Sequence, residues 1–135
     1  DETIIRNPED VDYSRMIEST KEVIKDISDL GKVLIISRGA SAILKDKKNT
    51  LRIFFVASEQ DRINRVKKMH NLDSDQDALD LIKHADHAQN EYYMKAFGLE
   101  FEDLSIYHAV LNTSNLTPEE CSKVVFSLIE EKLTI

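Results

Sequence analysis

The chain has 135 residues, 41% of them hydrophobic and 32% charged, which is the balance of one globular domain and not of a disordered segment. Its formal charge of −7 argues against nucleic acid or an anionic membrane surface as the main partner, since both select a basic face. Cys121 is the only cysteine, which excludes an intrachain disulfide, and no apolar run approaches the roughly 18 residues of a membrane span, so a cytoplasmic protein is expected.

Residues 1–11 are polar, are broken by Asn7-Pro8, and read as a tail or loop ahead of a single domain over residues 12–135. Asp1 is not an initiator methionine and no signal-peptide pattern follows it, so the chain is expected to begin downstream of the natural N-terminus. Over residues 12–30 the apolar positions are Tyr13, Met16, Ile17, Val23, Ile24, Ile27 and Leu30, one face of a helix that Gly31 stops. Residues 33–37, starting Val33-Leu34-Ile35-Ile36, are unbroken and mostly β-branched, which predicts a strand buried on both faces. A short helix over residues 39–44 and a loop over residues 45–50 lead to a second strand at residues 51–57, centred on Ile53, Phe54, Phe55 and Val56.

Ser58 is placed to cap a helix running to His70, with Asp61 as a capping-box acid. Asn71-Leu72-Asp73 is a turn. A long helix over residues 74–97 follows, with Ala78, Leu81, Ile82, Ala85, Tyr92, Tyr93 and Ala96 on its inner side and Gly98 as its stop. Residues 99–107 read as a loop and Ala109-Val110-Leu111 as part of a third strand. Thr117-Pro118-Glu119-Glu120 has the cap, proline and glutamate of a helix start, and that helix carries Cys121, Val124, Val125, Leu128, Ile129 and Leu133. Cys121 is expected as a small, partly buried helix residue. Strands alternating with helices predict an α/β layer fold with a parallel sheet.

A phosphate-cradling loop needs glycines at fixed spacing, and Gly31, Gly39 and Gly98 are not so arranged. Ser37-Arg38-Gly39-Ala40 stands where a strand gives way to a helix. An arginine at the carboxyl end of a parallel strand suits an anion, and from position alone it equally suits a surface carboxylate. Arg62 and Arg65 are three apart and share a helix face with Lys67 and Lys68 nearby, a pattern that a solvated basic face explains as well. His84-Ala85-Asp86-His87 puts two histidines on one face, but neither His70 nor His108 has a spacing that completes a metal site, and none is expected. No nucleophile–base arrangement is visible in the residue order.

Four stretches in order resemble the cytidylate kinase-like branch of the nucleoside monophosphate kinases, within the P-loop kinase superfamily. Residues 33–40 look like that family's strand ending in a Gly-Arg-Gly-Ala type turn. Residues 51–57, running into Asp61-Arg62 and Arg65, are similar to its next strand and arginine-bearing helix. Asp86, Tyr92-Tyr93 and Phe97-Gly98 look like its mobile lid, here about residues 67–100. Tyr107 through Val110-Leu111-Asn112-Thr113-Ser114, with Leu116 and Glu119-Glu120, resembles its last strand, base-contacting loop and final helix.

The resemblance implies a three-layer parallel sheet with flanking helices, lacking here the first strand and phosphate loop. It implies ATP and Mg2+ as cofactors and a CMP- or dCMP-like nucleotide as partner, with no nucleic acid and no membrane. By position, Arg38 and Asp86 would hold the accepting nucleotide. Arg62 and Arg65 would meet the donor phosphates as candidate catalytic groups, and Thr113 and Ser114 would lie by the donor base. The lid departs from the family pattern of aspartate, then arginine or lysine, then arginine two positions on: here Asp86 is followed by His87, Ala88 and Gln89. Losing one cationic transition-state contact costs roughly a thousand-fold in rate. The expectation is a nucleotide kinase-like domain inactive as this chain alone, or else a non-catalytic binding or regulatory module retaining the fold. In either case, a second copy or an upstream segment is expected between residues 33–37 and residues 51–57, completing the sheet.

Overall fold

A computed structural model describes residues 13–133; the expected tail over residues 1–11 lies outside them. The first helix, α1 (Tyr13–Asp29), buries Ile17 and Ile24, seven residues apart on one face. Met16, Val23, Ile27 and, just past the helix, Leu30 stay exposed. Gly31 takes the left-handed conformation, φ 69°, just after the helix ends.

The strand expected at residues 33–37 is not formed. These residues have no ladder partner among the described residues, and Leu34 and Ile36 are 87% and 79% exposed. The reason is that an apolar run encodes a need for cover, whereas a strand exists only beside a hydrogen-bonded neighbour. The short helix α2 (Ala40–Ile43) then returns to α1, where Ile24, Ala40 and Leu44 form a small core with Ile35 and Ile43 against it.

The sheet has two parallel strands, β1 (Ile53–Val56) and β2 (Ala109–Asn112), in register from Ile53 opposite Ala109 to Val56 opposite Asn112. A parallel pair needs a long crossover, and α3 (Glu59–His70) and α4 (Asp75–Phe97) supply it. Ser58 and Thr117 cap as the sequence indicates, and Ser74 adds a cap that was not expected. Ser58 and Ser74 accept from the backbone N–H groups of Asp61 and Asp77, both at 3.2 Å. Thr117 and Glu120 form a reciprocal capping box at the start of α5 (Pro118–Lys132).

Ile63, Ala78 and Ile82 are the buried centre of the α3–α4 hairpin, with Val66, Leu72 and Leu79 packed on them. Leu81 and Ala85, expected on the inner side of α4, are exposed, because α3 covers only the stripe through Ala78 and Ile82. A second core holds Ala42, Tyr93 and Ile106 with Tyr92, Phe97, Phe101 and Tyr107 around it, and burial pushes the Tyr93 phenol pKa up. Arg52 fixes the amino end of the sheet. Its guanidinium donates to the carbonyl oxygen of Ile106 at 2.7 Å and to the Thr50 hydroxyl at 2.8 Å. Its backbone N–H donates to Nδ1 of His108 at 3.0 Å.

Candidate functional site

In open parallel sheets, ligands bind beyond the carboxyl ends of the strands. At that end β1 and β2 are joined by Thr113, whose backbone N–H and hydroxyl both donate to the Val56 carbonyl, at 2.8 and 2.9 Å. Ser114 accepts the backbone N–H of Ser58 at 2.8 Å, so the loop after β2 meets the cap of α3. Hydrogen bonds from Ser114 and then Ser58 hold the Asp61 carboxyl below its usual range. Sequence reasoning gave Asp61 a capping role alone; the Ser114 contact spans the whole crossover and leaves no local signal.

The first turns of α3 bring both arginines to this end. Arg65 donates to the Thr113 hydroxyl at 2.8 Å and to the Thr113 carbonyl at 2.9 Å. Arg62 grips Asp86 on α4 through both carboxylate oxygens, at 2.7 and 2.8 Å, the planar fork that a guanidinium makes with a carboxylate. The Asp86 hydrogen bond is the main cause that raises the Arg62 pKa, with Glu102 and Glu59 adding to it. Five of the sequence candidates, Arg62, Arg65, Asp86, Thr113 and Ser114, are thus gathered at one end of the sheet. Of the five, Asp86 also lines an open cleft of about 380 Å³, together with His87, Asn90, Glu100, Phe101 and Glu102.

Arg38 stands apart from these pairs. Its side chain is exposed, and its turn contains three consecutive left-handed residues: Ser37 at φ 70°, Arg38 at 61° and Gly39 at 73°. Two of them carry a Cβ, for which this conformation is costly. Gly39 is buried against α4, and Tyr92 donates its hydroxyl to the Arg38 carbonyl at 3.4 Å. His84 and His87 are both exposed on α4, and His87 lies 3.8 Å from Glu91. Among the described residues no cluster of three or more histidine, cysteine, aspartate or glutamate side chains is arranged to hold a metal. Cys121 is buried in α5, and no helix among the described residues is long and apolar enough to cross a membrane.

Comparison with known proteins gives this geometry its frame. Residues 4–115 match the model of the cytidylate kinase-like family. The cytidylate kinase of Thermoplasma acidophilum is 35% identical over 83 residues, 62% of this chain and 44% of that protein. That of Sulfurisphaera tokodaii is 27% identical over 105 residues, 78% of this chain and 57% of that protein. That of Methanocaldococcus jannaschii is 28% identical over 128 residues, 88% of this chain and 71% of that protein. The chain therefore spans about half the length of the first two relatives. A crystal structure of an uncharacterized protein from Eubacterium ventriosum superimposes with a TM-score of 0.75 at 17% identity, covering 93% of this chain and 69% of that one, a likeness of fold. With most of its length matched, the chain belongs to the cytidylate kinase-like family.

Proposed function

We propose that this chain carries the nucleotide-positioning part of a cytidylate kinase-type phosphotransferase, which moves the terminal phosphoryl group of ATP to a CMP- or dCMP-like acceptor within a longer protein. The observation that carries this reading is the convergence of Arg62 and Arg65 with Asp86, Thr113 and Ser114 at the carboxyl end of the sheet. In such a transfer an acceptor phosphate oxygen attacks the terminal phosphorus, and the bond to the bridging oxygen of the leaving ADP breaks in line. The protein's task is to position the two nucleotides and neutralise charge. Arg38 holds the acceptor phosphate, and Asp86 the acceptor nucleotide. Arg62 exchanges Asp86 for a donor phosphate oxygen, Arg65 assists, and the Thr113-Ser114 loop lies by the donor base. Residues 67–100 act as the lid.

Family membership implies Mg2+ beside ATP. Among the described residues no three histidine, cysteine, aspartate or glutamate side chains converge to hold it. No step is therefore routed through the metal.

The reading extends to the sheet. In a three-layer arrangement, a strand from outside residues 13–133 lies between residues 33–37 and β1, covering Leu34 and Ile36. Its support is that apolar, exposed run together with the greater length of the relatives. Slow amide exchange at residues 33–36 in the full-length protein would support it, and fast exchange there would end it. For the activity itself, the decisive measurement is phosphoryl transfer from ATP to CMP. The full-length protein is expected to turn over and residues 1–135 alone are not. Turnover by residues 1–135 that Arg38→Ala abolishes would overturn that division.

A second reading, a non-catalytic binding or regulatory module, is favoured by the lid. His87 and Gln89 stand where the family pattern has cations, and His87 is directed to Glu91. Nucleotide binding by the full-length protein without turnover would select this reading.

A further inference from the structure

The Ser37–Gly39 turn is held in a conformation that its own residues disfavour, so something outside the turn must hold it. That something is the end of α4. A Cβ placed on Gly39 would lie 2.6 Å from both Cε2 and Cζ of Phe97, closer than any carbon contact allows, and 3.4 Å from Tyr92. Only glycine lets the turn and the ring approach so closely. The ring is flanked by Tyr92 and Tyr93, with centroids at 5.7 and 5.2 Å, and by the Lys21 ammonium 5.9 Å from its centroid. Tyr92 reaches the same turn through the Arg38 carbonyl. The turn is thus seated against the ring, whose remaining side borders an open cleft of about 320 Å³.

The geometry points to Phe97 as a positioning residue. Seated on Gly39, it holds Ser37 and Arg38 in the left-handed conformation and so sets the direction in which Arg38 presents its guanidinium to an anion. This rests on the proposed role of Arg38 at the acceptor phosphate, but it adds a residue and a means of control. The same helix that pairs Arg62 through Asp86 also meets the Arg38 turn further on, at Phe97. A shift of α4 along its second half therefore reaches both Asp86 and Phe97, which links the two arginines through one helix.

The test is calorimetric titration of the full-length protein with CMP, together with thermal melting of each variant. Arg38→Ala is expected to bind CMP at least tenfold more weakly. If its affinity is unchanged, the role of Arg38 falls, whatever Phe97 does. Phe97→Leu is expected to weaken CMP binding about tenfold while still folded at the assay temperature. Ser37→Gly added to Phe97→Leu is expected to recover most of that loss, because glycine adopts the left-handed conformation without the clamp. If Arg38→Ala weakens binding but Phe97→Leu binds like the wild type, the positioning role is overturned and the role of Arg38 survives. If Ser37→Gly restores nothing, Phe97 is a core residue only, which also overturns it. Should Phe97→Leu fail to fold, Phe97→Met keeps the volume without the flat ring and is read in the same way.

Discussion

The α3–α4 hairpin and the segment of residues 30–36 are both rich in apolar side chains, yet they end in opposite states. In the hairpin, Ile63, Ala78 and Ile82 are at most 6% exposed; in the segment, Leu30, Leu34 and Ile36 are all 79% exposed or more. The hairpin is self-sufficient because its two helices satisfy their backbones internally and need only each other's stripe. The segment has no such option, since an extended run must borrow both hydrogen bonds and cover from neighbours. What differs is that the hairpin carries its partner within itself, whereas the segment meets no ladder partner among the described residues.

Four measurements break or sharpen this contrast. The largest effect is expected from Ile82→Ala, which should cost about 3 kcal/mol in urea unfolding, the range for a truncated buried isoleucine; a loss below about 1 kcal/mol would mean that the hairpin is not the stable centre. Leu34→Ser comes next. It should change the stability of residues 1–135 by no more than about 0.5 kcal/mol, but cost about 2 kcal/mol in the full-length protein if a further strand buries the side chain there. Equal effects in both would dissolve the distinction. Ser37→Gly should raise stability by about 1 kcal/mol, the left-handed penalty net of glycine's entropy, and a lowered melting temperature would show that the turn is not strained.

The smallest effect concerns His108, whose Nδ1 must stay unprotonated to accept the Arg52 N–H. Burial, then the charges of Arg52 and Lys132, hold its pKa below the ordinary 6.5. Because the unfolded chain binds the proton more readily, stability should fall as pH drops below 6.5 and level off beneath the folded-state pKa. An NMR titration midpoint at or above 6.5 would refute it, and His108→Gln should flatten the slope.

Local chemistry explains which parts were legible in the sequence. Ser58 and the Thr117–Glu120 box act within one helical turn, so their spacing located the starts of α3 and α5, while the start of α4 was legible from the turn before it and its Ser74 cap was not. β1 lies inside an apolar run that the sequence marks, and β2 covers the marked residues 109–111 with Asn112 added. The run at residues 33–37 looked the same and formed nothing, because composition records a demand for burial and not the presence of a neighbour. The candidate site was legible as residue types but not as pairs. Arg62 meets Asp86 across 24 positions and Arg65 meets Thr113 across 48, distances over which spacing carries no information. The left-handed backbone at Ser37 was hidden too, since serine gives no hint of positive φ.

The parallel pairing of β1 with β2 also sets an order of events. Arg52 and His108, which join the strands at their amino ends, are 56 residues apart, and closing a loop of that length costs about 3.5 kcal/mol in chain entropy before any contact rewards it. The α3–α4 hairpin lies within that loop, uses short-range contacts and can form first, shortening the span still to be closed. The sheet therefore assembles late. During synthesis the Arg65–Thr113 contact cannot form until residue 113 has left the ribosome, so the arginine cluster is among the last parts of the molecule to be completed.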